Sequence, residues 1–142
     1  MRFMVMVRAD KSTEAGVLPS KKLIEDMGKY NQTLVDAGIL LAAEGLTGSR
    51  DSAIVTFRKG GQFVVKDGPF TEAKELIAGF WIIRVESLEE AVEWAKRIPG
   101  FSDGEHVEVR RVAEMSDFEG AMPPESFAQE EALRDEIAKK AN

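Results

Sequence analysis

The chain has no cysteine. That excludes disulfides, thiol nucleophiles and thiolate metal sites, and it fits a reducing compartment. It has one histidine, His106, in 142 residues. A metal centre needs several converging ligands, so no metal site is expected, and a lone histidine at a wet strand start reads as a surface residue rather than a haem ligand. No apolar run approaches the roughly 20 residues that span a bilayer. The opening Met1-Arg2-Phe3-Met4-Val5-Met6-Val7 is too short for an export signal and runs at once into Arg8 and Asp10. These absences predict a cytoplasmic protein with no membrane partner. Positive charge is also scarce, with 19 Lys and Arg against 25 Asp and Glu and a net charge of -6. No basic stripe interleaves with aromatics, so the electrostatic footprint of a direct nucleic-acid binder is missing.

What is present is enough for a packed core. Apolar residues make up 44% and charged residues 31% of the chain, which predicts one domain with an appendage. Phe3 to Val7 reads as a strand that is apolar on both faces. Asp10 to Pro19 reads as a polar loop. Ser20 is a predicted N-cap, followed by Leu23, Met27, Tyr30 and Leu34 at helical spacing, with Gly38 as the stop. Ile39 to Ala43 is a short strand. The loop Glu44 to Arg50 lacks the Lys-Ser/Thr ending of a phosphate-binding loop and reads as a plain turn. Ser52 to Arg58 and Gln62 to Lys66 form a hairpin through Lys59-Gly60-Gly61.

The stretch Asp67-Gly68-Pro69-Phe70 then closes a strand and opens a polar turn, Thr71 to Glu75. Gly68 can take a positive φ and Pro69 fixes its own φ. Leu76 to Glu86 is the most apolar strand, with Gly79 inside it marking a bulge or a close backbone approach. Ser87 and Glu90 are spaced as a capping box for a helix carrying Leu88, Ala91, Val92, Ala95 and Ile98, which ends at Pro99-Gly100. Val107 to Val112 is a last strand. Residues 114–142 form a linker and a charged helix with a loose apolar face of Phe127, Leu133 and Ile137.

The order strand, helix, strand, hairpin, strand, helix, strand predicts an α+β fold over residues 1–113, a ferredoxin-like split β-α-β with an antiparallel sheet and helices on one side. Two helices cover one face. Strands 3–7 and 80–85 carry large side chains on both, and each one left in water forgoes about 1.5–3 kcal/mol. A second copy is therefore expected to shield Met4, Met6, Trp81 and Ile83, giving a homodimer with its sheets face to face or closed into a dimeric α/β barrel.

The run Lys66-Asp67-Gly68-Pro69-Phe70-Thr71-Glu72-Ala73-Lys74-Glu75, continuing through Gly79-Phe80-Trp81-Ile82-Ile83, resembles the signature of the DGPF-domain proteins of the YCII-related family. The opening strand, the Tyr30 to Leu46 segment and Glu108-Val109-Arg110 are similar too, and the resemblance covers roughly residues 1–113. It implies a bacterial dimeric α+β barrel, often encoded beside extracytoplasmic-function sigma factors; separately, no cofactor is expected. It also implies a His-Asp pair in a cleft. Asp67 matches the aspartate, but Met27 stands where the histidine belongs. Three functions follow as expectations. The first is a homodimeric small-molecule-binding or accessory protein with a cleft near Asp67. The second is a YCII-type lyase or hydrolase acting on a small acidic or aromatic compound through Asp67. The third is an interaction partner in sigma-factor-linked transcription. Arg8, Met27, Tyr30 and Trp81 are the candidate ligand-binding residues. Asp67 is the candidate catalytic group, as a base if burial raises its pKa.

Overall fold

The computed structural model describes residues 1–72 and 75–140. Residues 73 and 74 of the expected polar turn lie outside the described residues. The chain divides into two compact units, one of Met1–Arg111 and one beginning at Val112.

The first unit contains β1 (Arg2–Arg8), a short α1 (Lys11–Glu14), α2 (Lys21–Asp36), β2 (Leu40–Gly45), β3 (Ala53–Phe57), β4 (Phe63–Asp67), β5 (Ile77–Arg84), α3 (Leu88–Ala95) and β6 (Val107–Arg111). A four-stranded antiparallel sheet runs β2-β5-β1-β6. That is the split β-α-β order expected of a ferredoxin-like unit. The β3-β4 hairpin is inserted between its second and third strands and forms a separate two-stranded sheet. Its turn uses Gly60 and Gly61 at φ 78° and 75°, the left-handed region that glycine enters without a Cβ penalty.

Side-chain alternation decides which face is core. Phe3 and Val5 pair with Ile83 and Trp81 across β1 and β5. All four are buried together with Tyr30 and Leu34 of α2 and with Ala91, Ala95 and Ile98 at and beyond α3. Both helices therefore lie on this face. Trp81 and Ile83 were expected on the uncovered face with Met4 and Met6. They belong instead to the helix-covered core, because residue numbers that differ by one point to opposite sides of a strand. The opposite face carries Met4 and Met6 against Ile82 and Phe80, and all four are half-buried.

The helix ends follow local chemistry. Ser20 accepts the N–H of Leu23 at 3.1 Å, which satisfies one of the orphan donors of the first turn of α2. Ser87 accepts the N–H of Glu90 at 3.1 Å. The Glu90 carboxylate reaches one residue further back than a capping box requires and accepts the N–H of Glu86 at 2.9 Å. Leu88, assigned to the buried stripe by spacing, stays exposed. The stretch 10–19 is not all loop. Asp10 caps α1 by accepting both the N–H and the hydroxyl of Thr13 at 2.7 Å.

Tyr30 is the chain's only tyrosine, and its hydroxyl donates to the Trp94 carbonyl at 3.2 Å. Burial pushes its phenol from 10.0 up to about 12, against a smaller opposite pull from the Arg97 charge. The native state thus holds a proton that the unfolded chain has lost, and stability contributed below pH 10 is lost as pH rises towards 12. A phenolate absorbance titration is expected to give a single midpoint near 12 rather than 10. A midpoint at the free-tyrosine value in folded protein would contradict this burial.

The second unit contains a 3-10 turn at Met115–Phe118 and α4 (Pro124–Lys140). Leu133 and Ile137 on α4 are exposed, and Lys140 pairs with Glu136 at 2.6 Å, one helical turn apart. Among the described residues no helix is long and apolar enough to cross a membrane.

Candidate functional site

The β1-β5 ladder is irregular at one place. Val7 pairs with Gly79, but Arg8 pairs with Ile77, so Ala78 is an extra residue on β5. The sequence marks this bulge through Gly79, one residue away. A Cβ on Gly79 would lie 2.8 Å from the Glu44 carbonyl oxygen, so close approach of β2 also requires glycine here. The extra residue, Ala78, borders an opening.

The opening there is a cleft with two lobes. One has a volume of about 480 Å³ and the other about 520 Å³, and both are lined by Val7, Asp10, Thr13, Leu23, Met27 and Ala78. The shared residues make a mostly apolar floor. The first lobe adds Arg8, Phe101, Glu105 and His106. The second adds Asn31, Glu44, Phe80 and Trp81. Lobes of this size, with an apolar lining and a few polar groups, are the usual form of a small-molecule site.

Several polar groups of the cleft have identified partners. The Asp10 carboxyl is held below the usual carboxylate range by the backbone and side-chain hydrogen bonds of Thr13. It is therefore an anion at neutral pH. Arg8 forms an ion pair with Glu108 at 2.5 Å, each side chain about one-third exposed. Glu108 also faces Arg110 at 3.5 Å. Asn31 accepts the Trp81 indole N–H at 2.8 Å, which fixes the tryptophan at the cleft wall. Among the described residues no group of three or more His, Asp or Glu could hold a metal ion.

The sequence-derived candidates divide three ways. Arg8 and Met27 line the first lobe, and Met27 and Trp81 the second. Tyr30 lines neither lobe; it is buried, with its ring edge-on to Trp81 at 5.8 Å between centroids, and it borders a separate smaller pocket with Asp26, Lys29 and Arg97. Asp67 stands elsewhere. It ends β4 paired with Ala53, is exposed, and is not among the described residues lining either lobe. The hairpin forms its own sheet and carries this carboxylate away from the cleft.

Its neighbours explain the motif structurally. Gly68 donates to the Ser52 carbonyl at 2.8 Å, and Phe70 donates to the Ser49 hydroxyl oxygen at 2.8 Å. Buried Ser49 donates its own N–H to the Glu14 carboxylate at 3.1 Å and its hydroxyl to the same group. Gly68 is not in the left-handed region, contrary to expectation. Glycine is needed because a Cβ would fall 1.7 Å from the Ser49 carbonyl oxygen.

Sequence reasoning passed over Asp10 and treated His106 as plain surface. The spacing of Asp10 to Thr13 was the available signal for the first, as an N-cap signature. Nothing local marks the second, because the loop of residues 99–106 reaches the cleft only through the fold.

An uncharacterized protein of Rhizobium meliloti (strain 1021) is 34% identical over 77 residues, which cover 54% of this chain and 60% of that protein. The match thus spans less than two-thirds of that relative's length. The solved structure of 5-chloro-2-hydroxyhydroquinone dehydrochlorinase from Burkholderia phenoliruptrix AC1100, in complex with 2,5-dihydroxybenzoquinone, is similar at 13% identity with a TM-score of 0.42, over 80% of this chain and 95% of that one. The model of the YCII-related domain matches residues 1–116, most of the chain and the whole of its first compact unit, and the chain belongs to that family.

Proposed function

We propose that the protein binds a small, largely apolar molecule in the bilobed cleft, and that it works as a homodimer. The observation that supports the first part is the shared apolar floor of Val7, Leu23, Met27 and Ala78 beside the ionised Asp10. The polar groups on the rim would orient a ligand and the floor would supply affinity. The dimer reading rests on the sheet face of Met4, Met6, Phe80 and Ile82, which neither α2 nor α3 covers.

Ligand-observed NMR with a panel of small aromatic acids and phenols tests the cleft. Compounds that bind the wild type are expected to bind Met27→Glu at least about 10-fold more weakly, since a buried carboxylate penalises an apolar ligand. Asp67→Asn should bind them unchanged. A panel whose hits are indifferent to Met27→Glu would overturn the site. For the dimer, Met6→Glu is expected to give monomers in sedimentation, and a wild type that is itself monomeric would overturn that part.

A second reading has one observation in its favour. Asp10 and His106, a carboxylate and an imidazole, line the same lobe, and such a pair can perform acid-base chemistry. A YCII-type lyase or hydrolase would then use Asp10 and His106 in place of the helix histidine that Met27 replaces. Turnover of a bound compound that is lost in both Asp10→Asn and His106→Gln would support this reading. Binding without turnover would leave the first.

A further inference from the structure

The β3-β4 hairpin is an ordered element that one chain does not cover. Every residue of both strands is exposed. Phe57 pairs with Phe63 and Val55 with Val65, so these four side chains share one face. They are 82%, 65%, 48% and 52% exposed in that order. An isolated two-stranded hairpin is marginal in water, and an uncovered apolar ribbon invites pairing with another chain.

We propose that this hairpin is an exchanged arm, whose Val55, Phe57, Phe63 and Val65 face packs on the Met4, Met6, Phe80 and Ile82 sheet face of a second copy. The proposal rests on the homodimer reading above and adds the element that crosses. Three observations select a second copy as the occupant. First, the chain carries both surfaces, so a two-fold axis buries both at once and closes the assembly. Second, the charges match. Asp67 shares the arm's apolar face by alternation; the sheet face sets Arg84, Arg110 and Glu108 beside the apolar patch, and since Glu108 already faces Arg110, Arg84 is the cation opposite Asp67. Third, the area is appropriate. Each phenylalanine can bury on the order of 150 Å². The phenylalanines of two arms thus supply on the order of 600 Å² of the roughly 1,600 Å² of a standard interface. The valines and the two sheet faces supply the remainder.

Sedimentation and concentration-dependent hydrogen exchange test this on the full chain. Phe57→Lys combined with Phe63→Lys is expected to weaken dimerisation at least about 100-fold, as aromatic anchors do, with far-UV circular dichroism unchanged. In the wild type the hairpin amides should lose protection on dilution below the dimer dissociation constant. A wild-type dimer broken by Met6→Glu but insensitive to the lysine pair would overturn the arm and leave the dimer standing. A wild type that stays monomeric would overturn both. Hairpin amides that exchange equally fast at all concentrations would overturn the arm independently of any variant.

Discussion

Gly68→Ala is expected to destabilise the fold by at least about 3 kcal/mol, the upper end of what overpacking usually costs. The added Cβ would lie 1.7 Å from the Ser49 carbonyl oxygen and 2.7 Å from its carbonyl carbon. Both are backbone atoms, so no side chain can rotate away. The hairpin root or the 3-10 turn at Ser49–Asp51 must move. Movement there breaks the hydrogen bonds from Gly68 to Ser52 and from Phe70 to Ser49. Gly28→Ala is the internal control. Gly28 lies within α2 and a Cβ there would meet nothing within 4 Å. It should gain about 0.5–1 kcal/mol from improved helix propensity. Urea denaturation of both variants reads the difference. A Gly68→Ala protein as stable as the wild type would refute the packing account of the motif.

Trp81→Ala is expected to cost about 3–5 kcal/mol, as large aromatic truncations in cores do. Trp81 is 7% exposed and packs among Val5, Ile83, Tyr30 and Leu34. Its removal leaves a void beneath α2 and deletes the edge-on contact with Tyr30. It also leaves the Asn31 carbonyl oxygen without the indole donor at 2.8 Å. Trp81→Phe separates these effects. It keeps most of the volume but loses the donor to the half-buried Asn31, and should cost only about 0.5–1.5 kcal/mol, the net worth of one hydrogen bond. Because Trp81 also lines the second lobe, both variants should weaken ligand binding there. Thermal unfolding with parallel binding measurements checks both. Equal stability of Trp81→Ala and wild type would mean the side chain is not core.

Much of this architecture was legible because local signals agreed with one another. The stripe of Met27, Tyr30 and Leu34, the cap at Ser20 and the apolar alternation of β1 and β5 each pointed to the helix-on-sheet arrangement. The hairpin was legible from its glycine pair, but its separation from the main sheet was not, since alternation does not reveal which strand is a neighbour. The site was less accessible. Its walls come from α1, α2, the bulge at Ala78 and the loop before β6, segments far apart in sequence. Asp67 drew attention because a carboxylate before Gly-Pro is conspicuous. The Gly68 and Phe70 that follow it anchor the chain to Ser52 and Ser49, and Asp10, which faces the cleft, sat in a polar stretch read as loop.

The Glu14 carboxylate grips Ser49, and Ser49 in turn holds Phe70. Glu14 is the last residue of α1, whose Ser12 and Thr13 form part of the wall of the larger lobe. The rim of one feature and the root of the other are therefore a single mechanical piece. A guest that pushes α1 outward must strain the same bonds that seat the hairpin, and whatever clamps the hairpin stiffens the doorway in return.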